Sequence, residues 1–101
     1  MRSTQDLLAE LNEESTKHWV VMMVVAFEKS TIFVEPGAQL QLLNEAVLTG
    51  GHPIGLIAVD KAQNQLTIRT ETYPENTGME EQCETLLRTL TSTLEASLRA
   101  R

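Results

Sequence analysis

The sequence predicts an α+β domain: an antiparallel sheet of about four strands with three helices, in the order α-β-β-α-β-β-α, packed as a two-layer sandwich. Three observations carry this expectation. Apolar residues recur every three or four positions in three segments, and alternately or continuously in four others. Glycine and proline clusters punctuate the boundaries between them. The 101 residues, 42% of them apolar, suffice for one core, so residues 1–101 read as a single domain.

The first helix is expected from Ser3 to Glu14. Ser3 or Thr4 can cap it, Asp6 suits its first turn, and Leu7, Leu8 and Leu11 form a narrow apolar stripe. Trp19 to Phe27 then gives nine consecutive apolar residues, dense in valine and free of glycine and proline. That composition favours a strand, with Trp19, Val21, Met23, Val25 and Phe27 on one face and Val20, Met22, Val24 and Ala26 on the other. "EKST" reads as a turn, and "IFVEPG" as a short second strand stopped at Pro36-Gly37.

A second helix is expected over residues 38–49, ending at Gly50-Gly51. Leu40, Leu43 and Val47 share one face, widened by Leu42 and Ala46. A second hairpin follows, with "IGLIAVD" apolar on both faces and "QLTIRTETY" alternating. Leu66, Ile68 and Thr70 point inward, and Thr67, Arg69 and Glu71 outward. The last helix is the clearest element: Met79, Cys83, Leu86, Leu87, Leu90, Leu94 and Leu98 recur over about five turns, after a cap at Asn76 or Thr77. If all three helices covered one sheet face, Val20, Met22, Val24 and Ala26 would need a second subunit or a client segment. Met22 and Met23 suit such an adaptable apolar surface.

Charge narrows the function classes. Fourteen acidic residues against eight basic ones give a net charge of −6, and the basic residues are scattered. Nucleic acid and anionic membrane surfaces are therefore not expected partners. The apolar run is too short to span a bilayer as a helix, and the N-terminal residues lack an apolar signal core. The lone cysteine fits a reducing compartment. The expected location is the cytoplasm.

Chemistry-bearing constellations are sparse. His18 and His52 lie beside element boundaries with no second ligand type near either in sequence, so no metal is expected. Cys83 falls in an apolar helix stripe, where burial would make a thiol inert. Gly50-Gly51-His52-Pro53-Ile54-Gly55 lies between a helix and a strand, the reverse of a phosphate loop. Glu13-Glu14 and Glu80-Glu81 sit on solvated helix positions. No catalytic residue, cofactor or enzymatic activity is expected.

Residues 39–98 show a helix containing "LLNEAVL", a glycine turn, and a hairpin whose second strand reads "LTIRTETYP". A long amphipathic helix with an early "EE" and an "LL" pair follows. This pattern resembles the class I type III secretion chaperones, the CesT-like group, and the related YbjN-like proteins. The resemblance implies an acidic, cytosolic, non-enzymatic homodimer that holds an extended effector segment over apolar patches. On matching positions it makes Leu40, Leu43 and Val47 dimer candidates. It also implies client contacts at Leu7, Leu8 and Leu11, which Val20, Met22 and Val24 would extend across the strand. The family usually places three strands between its first two helices, where this chain has room for about two. A non-secretory interaction scaffold, YbjN-like or roadblock-like, is the alternative.

Overall fold

The computed structural model describes residues 2–100. Its elements follow the expected order: α1 (Thr4–Glu14), β1 (Val20–Ala26), β2 (Thr31–Val34), α2 (Leu40–Leu48), β3 (His52–Ala62), β4 (Gln65–Thr72) and α3 (Glu80–Arg99), with a single 3-10 turn at Pro74–Asn76 before α3. The strands form one antiparallel sheet in the order β2-β1-β3-β4. The fold is α+β.

Local signals place the element ends. The Ser3 hydroxyl accepts the Asp6 amide at 3.1 Å, which caps α1. Gly50, at φ +99°, turns the chain out of α2, and the Gly51 amide donates to the Ala46 carbonyl at 2.8 Å. Gln63 and Asn64 both take positive φ, 51° and 67°, as a two-residue hairpin turn between β3 and β4 requires. Strand β3 runs past the expected 54–60 at both ends. Pro53 and His52 continue its pairing with β1 opposite Val25 and Ala26, beyond a bulge that follows Val24. At the start of α3 no side chain caps the helix itself. The Thr77 hydroxyl instead accepts the amide of Met79, the residue directly before the helix, at 3.1 Å.

The layering corrects the two-layer expectation. Helices α1 and α2 pack on one face, where Leu7, Leu8, Leu11, Leu43 and Ala46 meet Val21, Met23, Val25, Val34, Leu56 and Ala58. Helix α3 packs on the other, where Cys83 and Leu87 meet Val24, Ile54, Ile57 and Val59. The sandwich has three layers. Width explains this: four strands spaced about 4.8 Å apart make a face roughly 15–20 Å across, and packed helices sit about 8–10 Å apart, so two helices fill one face. The third must use the other side. It finds there an apolar surface, because the continuous runs in β1 and β3 put apolar side chains on both faces.

Gly55 sets how closely α3 approaches. A Cβ at that position would overlap Leu87 Cδ1 from α3 and the Glu71 carbonyl oxygen from β4. The glycine lets the helix sit directly on β3.

Candidate interaction surface

One helix cannot cover a face that two helices fill. Helix α3 lies over β3 and β4. The register puts Val20, Met22, Val24 and Ala26 of β1 on this same side, with Phe33 and Thr31 of β2 beside Val24 and Ala26. Val24 is sealed by the core under α3, Met22 and Ala26 are half-buried, and Val20 and Phe33 stay 38% and 49% exposed. From the helix side, Leu86 and Leu90 project toward this strip and are only half-buried. The result is an apolar strip along β1 and β2, bounded by α3 on one side and by the open β2 edge on the other.

At the N-terminal end of α3 the strip deepens into a half-open cavity of about 550 Å³, lined chiefly by Ala26, Phe27, Ile54, Met79 and Leu86. His52 and Cys83 share that cavity. The Cys83 thiol is buried and lies 3.2 Å from the Thr77 hydroxyl, so its polar partner is a threonine.

The residues expected to hold a client divide. Val20 and Met22 lie on the strip and are accessible. Val24 is interior, because α3 of the same chain covers it. Leu7, Leu8 and Leu11 are also interior: all three α1 leucines are sealed against the chain's own sheet. As the chain folds alone, these four residues are core and not open client contacts. Phe33, the most exposed apolar side chain on the strip, was hidden from sequence reasoning. Its face depends on pairing opposite Val24, although its position in the hairpin next to β1 was legible.

The expected dimer residues divide as well. Leu43 is fully buried beneath α2, whereas Leu40 and Val47 are each 39% exposed on one flank of that helix. Leu48, one residue on, is 84% exposed, the largest exposure of any bulky apolar side chain among the described residues. This flank is a second apolar surface, on the opposite side of the sheet from the strip.

Polar side chains cluster on the α1 side. Arg2 stacks over the Tyr73 ring at 4.2 Å and pairs with both Glu10 and Glu75, while the Tyr73 hydroxyl donates to Glu10 Oε1 at 3.3 Å. Burial, then the negative charge of Glu10, pushes the Tyr73 phenol far above its ordinary range. Burial and the same neighbour raise the Glu71 carboxyl. These contacts tie the N-terminal residues to the end of β4. Among the described residues, no three His, Cys, Asp or Glu side chains converge as metal ligands, and no helix is long and apolar enough to cross a membrane.

Comparison with protein-family models, with curated proteins and with solved structures finds no match for this chain.

Proposed function

We propose that this chain is a protein-binding module, acting by docking and not by catalysis, that seats an extended apolar segment on the strip beside α3. The observation that carries the reading is the half-covered sheet face. Val20, Met22 and Phe33 stay accessible beside the half-buried Leu86 and Leu90, on a domain whose other sheet face is closed by two helices. Contiguous exposed apolar surface on a small soluble domain marks an interaction site. The resemblance of residues 39–98 to secretion chaperones gives the reading its specific form: a cytosolic homodimer that holds an effector segment. The flank of α2 formed by Leu40, Val47 and Leu48 is its dimer seam.

Selection of a displayed random-peptide library on the purified protein tests the docking surface. The expected result is enrichment of peptides with alternating apolar positions, whose binding is lost in a Met22→Lys, Phe33→Asp double variant and kept in Leu48→Glu. Absence of enrichment, or equal binding to the double variant, would refute it.

The open edge of β2 favours a second reading, a roadblock-like scaffold that dimerises by extending the sheet. The Phe27 amide donates to the Ser30 carbonyl at 2.7 Å, so by antiparallel alternation the amides of Thr31 and Phe33 turn outward, free to pair with another strand. Thr31→Pro removes one outward donor without breaking the ladder to β1. It abolishes a sheet-extended dimer and leaves an α2-mediated dimer intact.

A further inference from the structure

We propose that His18 is a protonation-controlled clasp, which fastens the connector between α1 and β1 to both the end of α1 and the β3–β4 hairpin, and gives up one of the two fastenings when the ring loses its proton. The geometry is a bridge. His18 Nδ1 lies 2.7 Å from Asp60 Oδ1 on β3, and His18 Nε2 lies 3.0 Å from Glu14 Oε2 at the end of α1. Both ring nitrogens face carboxylate oxygens, which only accept hydrogen bonds.

An imidazolium has two N–H donors and satisfies both carboxylates. A neutral imidazole has one, so in either tautomer the other nitrogen turns a lone pair toward a carboxylate oxygen at contact distance. One of the two bonds must then open. The bridged pieces are distant in sequence: His18 and Asp60 are 42 residues apart, and Glu14 ends the helix that enters the connector.

The surrounding charges leave the bridge in place. From α1 and the connector, Lys17 Nζ lies 3.6 Å from the other oxygen of Glu14 and 3.8 Å from Glu13. From β4, Arg69 Nε lies 3.7 Å from the other oxygen of Asp60, and Glu71 stands near enough for its carboxyl to respond to Glu14. On β3, Lys61 turns away and sits 4.9 Å over the Trp19 ring. Each carboxylate thus has a cation at one oxygen and the histidine at the other. The hydrogen bond to Asp60, then that to Glu14, raises the His18 pKa above its ordinary value near 6.5, against the opposing effect of burial. The sign follows: the clasp is closed in full below the ordinary value, and its contribution is lost as pH rises through the higher folded value.

This inference is independent of the binding reading, since it involves no residue of the strip beside α3. The chain supplies its own reporter, because Trp19 is the only tryptophan and directly follows His18. The experiment follows His18 imidazole NMR shifts and Trp19 emission across the histidine titration range. It uses the intact wild-type chain and the variants His18→Gln, Asp60→Asn and His52→Gln.

In wild-type protein the ring and the emission are expected to change together, with one midpoint above 6.5. The emission change is lost in His18→Gln, moves toward the ordinary midpoint in Asp60→Asn, and persists in His52→Gln. If His18→Gln does not fold, the shift in Asp60→Asn carries the test. A wild-type His18 midpoint at or below 6.5 would overturn the clasp. So would a Trp19 change that persists in His18→Gln, or one that does not follow the ring.

Discussion

Gly55→Ala probes the contact that seats α3 on the second face of the sheet. The added Cβ meets two obstacles of different kinds: the flexible end of Leu87 on α3, and the Glu71 carbonyl in the backbone of β4. The Thr72 Cα, at 3.3 Å, closes the remaining space. Leu87 can yield by changing rotamer; the β4 backbone cannot move without disturbing its pairing with β3. Overpacking of this kind costs about 1–3 kcal/mol, and the reduced freedom of the unfolded chain returns only about 0.4–1 kcal/mol. A net loss of about 1–2 kcal/mol is expected, against a total stability of about 5–15 kcal/mol for a domain of this size. Urea unfolding followed by circular dichroism should show a midpoint lowered by roughly 1 M.

The double-mutant cycle with Leu87→Ala makes the test specific. Alone, Leu87→Ala empties a fully buried site and should cost about 2–5 kcal/mol. In that background the new methyl group at position 55 has room on the α3 side. Gly55→Ala should therefore cost less there than in wild type, with a coupling above about 0.5 kcal/mol. Additive losses, or a neutral Gly55→Ala, would refute the packing of α3 on β3.

Other outcomes follow from the same contacts. The lone tyrosine, Tyr73, should not ionise at its ordinary pH in the folded protein. Ultraviolet absorbance should show phenolate appearing only with unfolding, and stability should fall as pH rises above the ordinary tyrosine value, because the unfolded chain then loses the proton first. Glu71→Gln should raise the melting temperature at neutral pH and leave it unchanged in acid, where the raised carboxyl is already protonated. Phe33→Asp alters an exposed position and should shift stability by no more than about 0.5 kcal/mol in thermal unfolding, while abolishing peptide binding. Leu40→Glu with Val47→Glu should convert a dimer to a monomer in sedimentation equilibrium, with an unchanged circular dichroism spectrum.

The elements were legible because their signals are local. The stripe of α3 repeats within its own 20 residues, and the turns at Gly50-Gly51 and Gln63-Asn64 announce themselves within a few positions. Which face each helix takes was not legible. It depends on the sheet order β2-β1-β3-β4 and on how many helices fit across four strands, and neither is written in any one segment. That is why Leu7, Leu8, Leu11 and Val24 read as open contacts and are core. Val20 and Met22 emerged from the same two-sided run and do lie on the accessible strip, since α3 covers β3 and β4 first. Of the His18 bridge, the Glu14 half sits four residues upstream and was within reach of sequence reasoning. The Asp60 half exists only through the pairing of β1 with β3.

The division of one sheet face into a covered half and a bare half is the claim on which the binding reading stands. Thiol labelling measures it directly in a Cys83→Ser background, which removes the only native cysteine. Single substitutions Phe33→Cys and Val24→Cys then report on neighbouring positions of the same face, at dilute protein. The account predicts that the thiol at 33 reacts at nearly the rate of a free peptide thiol, while the thiol at 24 is protected until the protein unfolds. Equal rates at the two positions, whether both fast or both slow, would contradict it.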